Sequence, residues 1–207
     1  MKMRKKIKIF AFIIVLSLFS TLVSCGSTPP PPLEEVKDEL VSLIDASAEI
    51  NTVFFGSGLD VYDREGTDEE KLIYEGLSDA LSGYEMVRPD AKFLSVDAIK
   101  EAASKVYSAS YLEGIYQMVF DGYADEISGV TRAKFLEWEG GFYQNSSYES
   151  YIEEKRTYNY DTMKIVDPSR GEYLNVEIES ELNGEKMTII LSFTLTENGW
   201  RLDSPTY

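Results

Sequence analysis

The hydrophobic period of this chain changes near Gly129, and that change limits the folds open to it. Before that point apolar residues recur at helical spacing. Leu33, Val36, Leu40, Leu43 and Ile44 form the stripe of an amphipathic helix. Residues 51–59 read as an apolar excursion ending in a glycine turn. Thr67-Asp68-Glu69-Glu70 fits a capping box that opens a helix with Leu72, Ile73 and Leu77; Gly76 weakens it by about 1 kcal/mol relative to alanine. Ser95 stands where it can cap a helix carrying Ile99, Ala102 and Val106. Ser108 can cap another carrying Leu112, Ile115, Tyr116 and Val119, which Asp121-Gly122 closes.

After Gly129 the period falls to two. Glu139-Gly140-Gly141-Phe142 joins two short apolar runs across Gly-Gly. Asp167-Pro168-Ser169-Arg170-Gly171 reads as a turn. Leu174, Val176 and Ile178 then alternate with polar residues, Asn183-Gly184 signals a hairpin, and Met187, Ile189, Leu191, Phe193 and Leu195 alternate in turn. A turn at Glu197-Asn198-Gly199 opens a last strand. There Trp200 and Leu202 face the core, and Arg201 and Asp203 share the other face, where they can pair. Helices first and strands after predict an α+β fold, with N-terminal helices packed on a curved antiparallel C-terminal sheet, a meander with one buried face. Residues 33–207 are expected to form a single domain, mainly helical over 33–128 and mainly strand over 129–207.

The N-terminus carries a different signal. Lys2, Arg4, Lys5, Lys6 and Lys8 precede an apolar run over residues 9–23, which ends at Leu22-Val23-Ser24-Cys25-Gly26. That is the layout of a secretory signal, and its end resembles the lipobox of bacterial lipoproteins. The resemblance implies a signal peptide over residues 1–24 and a diacylglyceryl group on Cys25. A membrane partner reached through that lipid follows, with the protein facing outside the cytoplasm on the cell membrane or the outer membrane. The apolar run is 15 residues long, short of the ~20 that a spanning helix needs. Residues 25–32 are the lipidated cysteine and a Pro-rich tether, whose residues 26–32 reach roughly 20 Å if extended.

Composition narrows the chemistry. Removing residues 1–24 leaves 15 Lys and Arg against 36 Asp and Glu, a net charge of −21. Nucleic acid, which demands a basic surface, is not an expected partner. The chain has no histidine and one cysteine. Without histidine there is no Ser-His-Asp or Cys-His pair and no histidine-ligated metal. With Cys25 committed to lipid, thiol chemistry goes too. No phosphate-binding loop or dinucleotide fingerprint appears. Neither a cofactor, nor a metal site, nor a catalytic residue is expected.

Local candidates follow from the same residues. Residues 60–72 look like a calcium loop only superficially: with Gly66 at position six, Val61 and Leu72 stand where the first and last carboxylates belong. Asp121, Asp125 and Glu126 cluster after an aromatic helix and read as a helix end followed by an acidic loop; a carboxylate pair acting on glycans remains an alternative. The aromatic stretch is more suggestive. Trp138, Phe142, Tyr143, Tyr148, Tyr151, Tyr158 and Tyr160 form the candidate binding surface, since such rings suit sugars and protein loops. Tyr158 and Tyr160 share parity and so should share a face.

Two further resemblances concern the domain. Its order of elements resembles the nuclear transport factor 2-like or cystatin-like domains. Glu139-Gly140-Gly141-Phe142-Tyr143 and the C-terminal Gly199-Trp200-Arg201-Leu202-Asp203-Ser204-Pro205-Thr206-Tyr207 resemble the cell-wall DL-endopeptidase inhibitor family. The expected function is therefore a membrane-anchored, non-enzymatic envelope lipoprotein that binds a protein or small ligand, with inhibition of a cell-wall peptidoglycan hydrolase as the alternative.

Overall fold

The computed structural model describes residues 28–75, 81–124, 131–148, 150, 152 and 155–207. Its spine is one helix, α1 (Leu33–Phe55), of 23 residues, about 34 Å long. Glu34 and Glu35 in its first turn suit the positive end of the helix dipole. Val36, Leu40, Leu43, Ile44, Ser47, Ile50, Asn51 and Phe54 recur every three or four residues, and all are buried. Residues 51–55 therefore continue the helix and are not a separate excursion. Two members of the buried stripe, Ser47 and Asn51, are polar, and they interrupt the apolar pattern.

Three further helices are described. The capping box holds α2 (Asp68–Ile73): Thr67 Oγ1 accepts from the Glu70 amide, and the Glu70 carboxylate accepts from the Thr67 amide. This helix buries no residue and leaves Leu72 60% exposed, so its expected core face is not there. Leu77 lies outside the described residues. Ser95 caps α3 (Val96–Ser104) and Ser108 caps α4 (Ala109–Tyr116). A π-helical turn, Gln117–Asp121, follows and stops at Gly122, whose φ of 72° suits glycine.

Among the described residues the strands form three antiparallel sheets. One is the meander β6 (Thr157–Arg170), β7 (Tyr173–Leu182), β8 (Glu185–Thr196) and β9 (Gly199–Leu202). Asn183 and Gly184, both at positive φ, make the two-residue β7–β8 turn. The second sheet places β5 (Gly141–Asn145) between β1 (Tyr84–Met86) and β4 (Phe135–Trp138). The third is the short pair β2 (Tyr123–Ala124) and β3 (Thr131–Arg132).

The chain is thus α+β, but its later part is not a single meander. The β4–β5 hairpin leaves the main sheet to pair with β1, a strand from the helical part. Its turn residues are Glu139 and Gly140, while Gly141 already pairs with Trp138. Residues 167–170 are not a turn either. They prolong β6 through a bulge, and the chain reverses only at Gly171 and Glu172.

Helix α1 packs on β6, β9 and α3. Trp200 and Leu202 of β9 are buried, as the alternation predicts. One apolar cluster runs from Val36 on α1 through Phe135 on β4 to Leu202 on β9. Fully burying each large side chain in it contributes about 1.5–3 kcal/mol. Arg201 and Asp203 do not pair. The Arg201 guanidinium donates to the Ser104 carbonyl at the end of α3, where a cation suits the helix terminus. Asp203 accepts from Ser108 and Ser110 at the start of α4.

Candidate functional site

The second half of α1 and the first residues of β6 stand apart and enclose a cleft of about 910 Å³. Ile44, Ala48 and Thr52 of α1 form one wall, Tyr158 and Tyr160 of β6 the other, and Thr206 and Tyr207 of the C-terminal segment one end. Ser57, Ser150, Ile152, Lys155 and Arg156 complete the rim. The volume falls within the 300–1,000 Å³ range of small-molecule sites.

The floor is a buried network of hydroxyl and amide groups. The Ser47 hydroxyl lies 2.6 Å from both the Ile44 carbonyl and Thr206 Oγ1. Asn51 donates its amide to Thr206 Oγ1 at 2.7 Å and accepts the Tyr107 hydroxyl on Oδ1 at 2.7 Å. Ser47, Asn51, Tyr107 and Thr206 are each at most 5% exposed. No buried side-chain nitrogen or oxygen among the described residues lacks a partner. Such a satisfied network holds each group in one position, whereas a half-satisfied one costs more than an apolar core.

The β6 wall is fixed from its tips. The Tyr158 hydroxyl donates to the Thr206 carbonyl at 2.5 Å, and the Tyr160 hydroxyl to Asp45 Oδ1 at 2.6 Å. Their rings stack, with centroids 6.2 Å apart and planes 13° apart. The shared face expected from their parity is therefore present. Burial raises the pKa of Tyr107, Tyr158 and Tyr160, and for Tyr160 the Asp45 carboxylate adds to the rise. These hydroxyls remain protonated at neutral pH. The two α1 carboxylates that line the cleft are engaged as well: Asp45 by Tyr160, and Glu49 by the Lys92 ammonium.

The remaining aromatic candidates lie elsewhere. Phe142 and Tyr143 are 7% and 3% exposed and belong mainly to the core, although Phe142 also lines the depression beside Trp138. Phe142 stacks on Phe135. Tyr143 packs with Leu81 and Tyr84, and its ring covers Gly141, where a Cβ would lie 2.6 Å from ring atoms. Both faces of β5 are covered, so parity alone did not separate inside from outside. Trp138 is exposed beside Leu94, on a different depression of about 530 Å³. Tyr148 sits over the Lys134 ammonium. Tyr151 and Cys25 lie outside the described residues, as do Asp125 and Glu126.

Lys134 gave no sequence signal. It is 1% exposed, and its ammonium donates to the carbonyls of Phe54 at 3.2 Å and Gly56 at 2.8 Å. It closes the C-terminal end of α1, just behind the cleft rim. Burial lowers its pKa to about 8. Among the described residues, no three acidic or cysteine side chains gather as a metal site, and no helix is long and apolar enough to cross a membrane. Compared with protein-family models, curated proteins and solved structures, the chain matches none.

Proposed function

We propose that the protein is a lipid-anchored binding protein of the cell envelope, held outside the cytoplasm through Cys25, that takes a small ligand between α1 and β6. The cleft carries this reading. It is open, part aromatic and part polar, and its floor is held rigid by hydrogen bonds before any ligand arrives. Binding is favoured over catalysis because the chain has no histidine and the carboxylates beside the cleft are already bonded to Tyr160 and Lys92.

The tether supports the same arrangement. The Gly171 amide donates to the Thr28 carbonyl at 2.8 Å, seating the start of the described chain on the β6–β7 turn. The cleft begins at Ile44, roughly 17 Å along α1 from Leu33 at 1.5 Å per residue, and extends to roughly 29 Å. An anchored molecule would therefore point its cleft away from the lipid.

Each part has its own test. Cys25→Ala is expected to move the protein from the membrane to the soluble fraction and to change its mature size; unchanged retention would refute the anchor. Ala48→Trp, which fills the cleft from an α1 position facing it, is expected to abolish ligand-induced stabilisation in a thermal-shift screen of small molecules. A second reading, inhibition of a cell-wall hydrolase, is favoured by the exposed Trp138 and Leu94. It predicts slower wall digestion on adding the protein, and relief of that effect by Trp138→Ala.

A further inference from the structure

Arg156 stands where β6 begins, between the main cleft and a second depression of about 380 Å³; the two share Thr157 and Tyr158. Its Nη1 donates to Ser180 Oγ at 3.1 Å and touches the Met187 sulfur at 3.2 Å. Both partners are neutral. Neither Arg156 nor the neighbouring Lys155 pairs with a carboxylate among the described residues. Arg156 is half-buried, and its Nε and Nη2 groups meet no protein acceptor there. That edge of the fork is the one that matches the two oxygens of a carboxylate. A cation left with a free edge, in a chain of net charge −16, is placed for a ligand and not for an internal pair.

Building on the cleft reading, we infer that the ligand is a carboxylated sugar, with its carboxylate on Arg156 and its ring between Tyr158, Tyr160 and Ala48. A monoanion suits this site better than a phosphate dianion, because the acidic body repels the second charge as well. The stacked tyrosines offer a rigid apolar surface to the face of a sugar ring. Thr52, Ser57 and Thr157, which also line the cleft, offer hydroxyl and backbone partners to its hydroxyls. Lys155 adds a second positive charge at the mouth.

Calorimetric titration of the full chain with glucuronate and with glucose tests this. Glucuronate should bind at least about tenfold tighter than glucose, the value of one charge-assisted contact. Arg156→Gln should erase that preference, and added salt should weaken only glucuronate. Equal affinity for the two sugars, lost in Ala48→Trp, would overturn the carboxylate and keep the cleft. Absence of binding by both would overturn the inference. Binding by either sugar that survives Ala48→Trp would overturn the cleft reading itself.

Discussion

The two halves of α1 make different structures from one helix. In the first half Val36, Leu40, Leu43 and Ile44 bury an apolar stripe against the sheet that carries Trp200 and Leu202. In the second half the same stripe passes through Ser47 and Asn51, which bond to Tyr107 and Thr206. The first arrangement supplies burial without direction. The second supplies direction, since each bond fixes an orientation, and the cleft lies over this half. The second half also buries Ile50, Val53, Phe54 and Phe55 in the same core, and this burial on both sides anchors the polar network.

The largest effect should come from the apolar half. Leu40→Ala empties a fully buried site and should cost about 2–5 kcal/mol in denaturant unfolding, with ligand binding intact in the folded fraction. Asn51→Leu should cost less, about 1–3 kcal/mol, because it withdraws partners from two buried hydroxyls. Unlike Leu40→Ala, it should also weaken binding in the cleft. If both variants lose stability and neither changes binding, the contrast between the halves fails.

Lys134 and Arg156 sharpen the same contrast. Both are cations in an acidic chain, but the Lys134 ammonium is buried on helix carbonyls, while Arg156 keeps one edge open. For Lys134 the sign of the pH effect is fixed. Its pKa is about 8 when folded and about 10.4 in an unfolded chain. Between these values the unfolded state holds more protons, so stability rises with pH. Urea unfolding should show the wild type gaining up to about 2 kcal/mol over Lys134→Met between pH 8 and 10. A flat difference would mean that the helix carbonyls keep the ammonium charged. Above pH 10 the raised tyrosine pKa values act in the opposite direction, because the unfolded state loses its phenol protons first.

The smallest effect belongs to the tether. A Cβ on Gly171 would lie 2.9 Å from Thr28 Cβ. Gly171→Val should therefore unseat residues 28–32, seen as faster proteolysis there, with stability changed by less than about 0.5 kcal/mol.

Much of this fold could be read from the residues. Ser95, Ser108 and Thr67 cap helices because a side-chain oxygen there satisfies an otherwise orphan amide. Asn183-Gly184 turns because both positions need positive φ. The length of α1 was hidden because Asn51 on its buried stripe is satisfied through Tyr107 and Thr206, 56 and 155 residues away. The division into sheets was hidden for a similar reason: β1 finds β5 only in the folded chain. In the site, the common face of Tyr158 and Tyr160 followed from parity. The burial of Phe142, Tyr143 and Lys134 depended on what other segments laid over them. The open edge of Arg156 is set by Ser180 and Met187 on two neighbouring strands, which no local pattern reports.

The cleft over the second half of α1 is tested most directly by mapping amide chemical shifts of the isotope-labelled full chain during a glucuronate titration. The shifts should cluster at Ala48, Thr52, Thr157 and Tyr158 and collapse in Arg156→Gln. Shifts centred on Leu94 and Trp138, or no shifts at saturating ligand, would contradict the account.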